Sequence, residues 1–220
     1  MRLGVLCGLE REARIIRAAL PDVDCDVRCS GAISENAARR SEELVAAGAT
    51  HLLSFGLAGA LEDHLRPGDL ILPEQVMSAE DEVWAVNGAW RGLAAERMRE
   101  AAGGAILGLD RAARTAAQKL FIRGIFDAAA VDMESHILAR CAAAHALPLL
   151  VIRAISDDRR SLIPRAAMAG VGPNGEDRIL NVLASLAHRP NEIGALAKLG
   201  ISSGKGFRTL GRVAGLALPA

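Results

Sequence analysis

Residues 128–157 read AAAVDMESHILARCAAAHALPLLVIRAISD, and the order of elements within them decides the fold. A short apolar run at 128–131 has the length of a buried strand. A helical pattern covers 133–146, and a second apolar run covers 148–155. Strand, helix and strand in that order form a βαβ unit with parallel strands and a right-handed crossover. In open, mainly parallel α/β sheets, ligands collect in the crevice outside the carboxyl ends of the strands. Both strands of this unit run into acids, Glu134 after the first and Asp157 after the second.

Working outward, a strand at Leu3–Cys7 precedes a helical pattern from Glu10 to Leu20, and Glu12 lies just past that strand. A strand over 23–29 meets the Ser30-Gly31 turn, after which Ser34 reads as a helix N-cap. The strand over 51–55 ends in Gly56-Leu57-Ala58-Gly59-Ala60, whose small residues predict a tight turn or a close backbone approach. Pro67-Gly68-Asp69 marks a turn before a strand at 70–72. Residues 79–91 mix Glu80, Asp81 and Glu82 with Trp84 and Trp90, fit neither period, and read as a loop over a site. A strand at 105–108, a helix over 112–125 and a further helix around Asn181 to Leu186 complete the pattern.

Lys+Arg and Asp+Glu are balanced at 26 each, so no global field recruits nucleic acid. No uninterrupted apolar run reaches the length of a membrane span. Met1-Arg2 leads into an apolar stretch that ends at Glu10-Arg11-Glu12, which is not a signal-peptide pattern, so cytoplasm is the expectation. The four cysteines show no zinc-ligand spacing with a histidine and read as small buried hydrophobes. Tyrosine is absent, so a base must stack on Phe, Trp or aliphatic side chains.

Taken singly, each acid has a plainer explanation. Glu12 and Glu134 suit the first turn of a helix, and Asp157 suits a turn. Together, Gly8-Leu9-Glu10-Arg11-Glu12, Gly56-Leu57-Ala58-Gly59-Ala60-Leu61, Met133-Glu134 and Arg153-Ala154-Ile155-Ser156-Asp157 occur in an order and spacing that resembles the purine nucleoside phosphorylase and nucleosidase superfamily. The likeness is greatest to the methylthioadenosine/adenosylhomocysteine nucleosidases and covers about residues 1–188. A narrower resemblance, carried by Val131-Asp132-Met133-Glu134-Ser135-His136, the Asp110-Arg111 pair and a basic tail, is to hopanoid-associated phosphorylases, which are assigned to removing adenine from adenosylhopane.

The resemblance implies a three-layer α/β/α fold with a central mixed, partly barrel-like sheet. It implies a catalytic domain over 1–188 and a basic, glycine-rich extension over 189–220. It makes Asp157 the acid that protonates N7 of adenine, and Glu134 the carboxylate that binds the ribose hydroxyls and stabilises a cationic sugar. Glu12 would orient or deprotonate the nucleophilic water, and Met133 would pack under the sugar. Gly56, Leu57, Ala58 and Gly59 would approach the ribose and nucleophile, with Ser156 and Asp110 near the base. No metal or organic cofactor is implied, and a homo-oligomer is.

One departure concerns the nucleophile. Phosphate-using members carry an Arg three residues before a Ser or Thr in this loop, where this chain has Ser54 and Leu57. Losing both contacts favours water over phosphate, with Arg11, Arg28 or backbone N–H groups as substitute anion ligands. Trp84 and Trp90 would border a greasy groove, and the tail from Leu196 to Val213 is either a helix capping the domain or a surface resting on the inner face of the membrane. A methylthioadenosine or adenosylhomocysteine nucleosidase and a non-catalytic nucleoside-binding protein are the alternatives.

Overall fold

The computed structural model describes residues 1–218. From β1 (Leu3–Cys7) the chain passes through α1 (Glu10–Ala19) to β2 (Cys25–Cys29), then through α2 (Ser34–Ala46) to β3 (His51–Ala60). Next come β4 (Leu70–Ile71), β5 (Gln75–Ser78), β6 (Val83–Ala85), α3 (Gly88–Arg97) and β7 (Ala105–Gly108). α4 (Ala116–Ile125), β8 (Ala130–Asp132), α5 (Ser135–Ala144) and β9 (Leu149–Asp157) form the second half of the sheet region. α6 (Arg165–Ala169), α7 (Ile179–His188) and α8 (Ile193–Val213) close the chain.

The strands make one mixed sheet in the order β2-β1-β3-β8-β7-β5-β6, with β9 pairing with both β3 and β4. β3 is its hub. Its first half lies between β1 and β9, both parallel to it, and its last residues, Gly59 and Ala60, pair antiparallel with β8. Strands covered on both faces need near-continuous apolar sequence, which β1 and β9 supply. Each Leu or Ile fully buried this way contributes about 1.5–3 kcal/mol.

The residues 56–60 do not turn. They continue β3 as strand, giving it 10 residues. The register with β9 slips between Ala58 and Gly59, which face Ile155 and Asp157, so Ser156 is the extra residue of a bulge. A bulge re-aims the strand end. The stretch 79–91 is not a free loop either: it contains β6 and the start of α3, capped where Asn87 accepts from Trp90 N at 2.9 Å. Trp90 is buried in the core, where its Nε1 donates to Ala217 O at 2.7 Å. Neither Trp90 nor Trp84 borders the acid-lined cavity described below; Trp84 instead lines a separate, larger cavity with Ala139, Ala142 and Leu147. Ser34 is the first residue of α2 rather than its cap, and its hydroxyl donates to Asp110 instead at 2.6 Å.

One helix breaks the usual polarity, and another keeps it where a membrane contact was expected. In α4 the fully buried residue is Lys119, while Leu120, Phe121 and Ile125 are exposed. α8 lies on β9 and β3, and Phe207, Leu210 and Val213 enter the core. Those three apolar residues are therefore not presented to a membrane. No helix of the described residues is long and apolar enough to cross one.

The approach of α8 to the sheet depends on Gly206. A Cβ there would come to 2.7 Å from Leu57 and 3.0 Å from the Ile155 carbonyl oxygen, whereas one at Gly211 meets nothing within 4 Å. Gly206→Ala should cost about 1–3 kcal/mol by overpacking. Gly211→Ala, in the same helix, should gain up to about 1 kcal/mol. Urea unfolding of both variants checks this, and equal effects would contradict the packing described.

Candidate active site

The β1–α1, β3, β8–α5 and β9 ends surround one cavity of about 310 Å³. Four acids line it: Glu12, Asp132, Glu134 and Asp157. Three glycines seat three of them. A Cβ on Gly8 would stand 2.7 Å from Glu134 Oε1, one on Gly56 2.7 Å from Glu12 Oε1, and one on Gly59 3.2 Å from Asp157 Oδ2. The glycines at strand ends thus make room for carboxylates rather than for turns.

Glu12 is buried and bonded on both oxygens. Gly8 N and Leu9 N donate to Oε2 at 2.9 Å, and Leu57 N donates to Oε1 at 2.8 Å. Burial raises its pKa, opposed by the charge of Arg153 and by those three N–H groups. A carboxylate offers about four lone-pair sites, so the three N–H donors leave one of them unfilled.

Glu134 stands at the N-cap position of α5 and accepts from Ser30 Oγ at 3.3 Å. Burial pushes its pKa up to about 8; Arg153 opposes this, and the neighbouring Asp132 and Glu12 add to it. Met133 lines the cavity beside it.

Beneath these acids lies Arg153, with no exposed surface, from the middle of β9. Its Nε donates to Asp132 Oδ2 at 2.6 Å, and its Nη2 donates to Ser54 Oγ at 2.7 Å and Ser135 Oγ at 3.2 Å. Glu134 Oε2 lies 3.7 Å from Nη2. Asp132 also receives the Ser135 hydroxyl and backbone N–H. The guanidinium is the counter-charge for this side of the cavity, although it does not line it.

Asp157 sits at the far end, 2% exposed, bonded to the ammonium of Lys119 and to the Ser156 hydroxyl. Lys119 Nζ also donates to Asp158 O at 2.8 Å. The remaining walls are mostly apolar: Leu9, Leu57, Ile163, Met168, Leu199 and Phe207 line them with Ser203, and Met168 reaches the surface.

The structure therefore brings together Glu12, Leu57, Ala58, Gly59, Met133, Glu134, Ser156 and Asp157. Gly56 is not a wall but the floor under Glu12. Asp110 is not in the cavity; it is bonded to Ser34 and lies 3.4 Å from His136 Nε2 on the outside. The candidate anion ligands are engaged elsewhere, Arg11 stacked 4.1 Å over Phe207 and Arg28 paired with Asp26 at 2.9 Å. No Lys or Arg is among the lining residues. Sequence reasoning missed Asp132, Lys119 and the counter-charge role of Arg153. The signal for Arg153 was a charge within an apolar strand run, which cannot be buried without a partner. Away from the cavity, Glu42, Cys141 and His145 bring donor atoms within 4.8 Å of one another, the one group among the described residues that could hold a metal. The i,i+4 pair Cys141/His145 on α5 was its overlooked signal.

The family model described as the phosphorylase superfamily matches residues 2–188. No curated protein matches the chain. Among solved structures, the S-adenosylhomocysteine nucleosidase of Streptococcus pyogenes, in complex with 5-methylthiotubericidin, is similar at 16% identity and TM-score 0.71 over 100% of this chain and 98% of that one. The 5′-methylthioadenosine/S-adenosylhomocysteine nucleosidase of Helicobacter pylori gives 18%, 0.69 and 97% of each chain. Futalosine hydrolase of Helicobacter pylori gives 18% and 0.69, over 96% of this chain and 95% of that one. At these identities the likeness shows the fold: α/β with a mixed central sheet.

Removing the buried cation should leave several acids unopposed. Arg153→Met is expected to destabilise the fold by about 3–5 kcal/mol, the cost of breaking a buried pair from one side. Urea denaturation measures it, and a loss below about 1 kcal/mol would show that Arg153 is not their counter-charge.

Proposed function

Because the chain belongs to the phosphorylase superfamily, whose enzymes cleave N-glycosidic bonds, we propose that it releases adenine from a 5′-substituted adenosine by hydrolysis, with adenosylhopane as the substrate. The observation that carries this reading is a cavity lined by four acids and no basic side chain, with apolar walls beyond them. Scission of the ribose–adenine bond builds positive charge on the sugar, which carboxylates stabilise. A phosphate dianion entering the same space would meet carboxylates and no cation, so water is the nucleophile.

Each residue then has a task. Asp157 delivers a proton to N7 as the bond electrons pass to the base. Glu134 accepts hydrogen bonds from the ribose hydroxyls, and its charge faces the cationic C1′. Met133 packs under the ring. Glu12, fixed by Gly8, Leu9 and Leu57 N–H groups, turns its remaining acceptor direction to the water and takes its proton. A raised pKa suits that task, since a stronger base accepts the proton more readily.

The 5′ substituent follows from the walls. Ile163, Met168, Leu199 and Phe207 offer it no hydrogen bonds, and Leu162, next to Ile163 in the chain, is exposed. An apolar polycycle suits such a path, and the sequence motifs shared with hopanoid-associated phosphorylases select it over a methylthio group. The work of the enzyme would thus lie on the cytoplasmic side, where a lipid-linked nucleoside presents its polar head.

Adenine release from adenosylhopane, methylthioadenosine and adenosylhomocysteine, each with and without phosphate, tests the proposal. Adenosylhopane should turn over fastest and without phosphate. Fast methylthioadenosine turnover with none of adenosylhopane rejects the lipid substrate, and phosphate dependence rejects water. Asp157→Asn should lower kcat about 100-fold or more, the usual worth of a positioned acid. The profile of kcat/KM against pH should rise on a limb near 8, because the raised pKa keeps Glu134 protonated, and unable to face a cation, below that point. A flat profile from pH 6 to 9 would remove Glu134 from the role given to it.

A further inference from the structure

Lys119 is the buried charge that the chemistry above leaves without a task. It has no exposed surface, and it comes from a helix whose neighbouring residues Leu120 and Phe121 face outward. Its ammonium reaches Asp157 and the Asp158 carbonyl, and Gly59 leaves the space in which it does so, 3.5 Å from the position of an added Cβ. The ammonium thus places a transferable proton in direct contact with the carboxyl group assigned to protonate adenine. A lysine this deeply buried is seldom retained without a partner, and here the partner is the residue assigned as the acid.

We propose that Lys119 is a positioning residue that supplies the leaving base with its proton through Asp157. The inference rests on the reading of the cavity as an adenine-releasing site. As the C1′–N9 bond breaks, its electron pair moves into the purine and N7 becomes basic. Asp157 then passes a proton to N7 while Lys119 passes one to Asp157, so adenine leaves neutral and the lysine is left as an amine. The nucleophilic water gives up one proton, to Glu12; after the products depart, Glu12 releases that proton to solvent and solvent returns one to Lys119. The pair keeps the same total charge until the base accepts the proton. The other groups facing it are few: the Ser156 hydroxyl bonds Asp157, Asp158 is adjacent, and Arg160 and Lys198 line the neighbouring cavity next to Asp157.

The test compares two substrates in each of three proteins. One substrate is the adenosine derivative that the wild type turns over. The other is p-nitrophenyl riboside, whose leaving group departs without protonation. Lys119→Met removes the proton source, and Lys119→Arg keeps the ion pair with a group that does not deprotonate in proteins. Both variants should lose about 100-fold in kcat for adenine release, with KM within a few-fold, while nitrophenol release stays within a few-fold of wild type. Equal losses on both substrates in both variants mean that Lys119 only maintains structure, and wild-type adenine release by Lys119→Arg means that its charge alone matters; either result overturns the inference. Should Lys119→Met fail to fold, Lys119→Arg decides by the same ratio. If wild type releases neither adenine nor nitrophenol, it is the adenine-releasing reading that fails, not the assignment of the lysine.

Discussion

The site depends on one buried guanidinium. Arg153 holds Asp132 and lies close to Glu134, and its charge lowers the cost of Glu12 as well. Carboxylates gathered in a buried cavity repel one another and lose hydration, and the guanidinium opposes the resulting rise in the pKa of Glu12 and Glu134 without abolishing it. Placing the cation within a central strand, rather than in the cavity, leaves the acids facing the cavity while their field is balanced from behind. Ser54 and Ser135 add hydrogen bonds to it from two other elements, tying β3, β9 and α5 to the same group, while its buried Nη1 has no partner.

The second constraint is volume. Gly8, Gly56 and Gly59 are each the neighbour of a different acid, and a methyl group at the first two would occupy space now filled by carboxylate oxygen. Two of the three lie on β3, which also donates Leu57 N to Glu12. The bulge at Ser156 brings Asp157 opposite Gly59. Strand pairing therefore does two jobs, fixing the sheet and setting the spacing of the charged groups.

Much of this was legible before any coordinates. Acids just past apolar strand runs are read readily, because periodicity locates the strand and topology places its carboxyl end at the crevice; Glu12, Glu134 and Asp157 do converge. For Gly56 and Gly59 the sequence left a tight turn and a close backbone approach both open, since a glycine that clears space for a side chain remote in sequence looks the same as one that bends the chain. Lys119 was invisible for a related reason. A lysine beside Gln118 suggests a solvated face, and only the inverted polarity of α4, with Leu120 and Phe121 outward, shows that the charge points in. Trp90 failed in the opposite sense: an acidic, irregular neighbourhood suggested a loop, but its ring is held in the core by Ala217 and His51.

Because β3 carries the seats of Glu12 and Asp157 only three residues apart, the two acids are measured against a single rigid ruler. Neither can be moved by a hinge without breaking the sheet. The wall from α6 obeys no such constraint, being a five-residue helix outside the sheet, whereas α8 is held on β9 and β3 at Gly206. A change in what the cavity admits would then come more cheaply from α6 than from the strands.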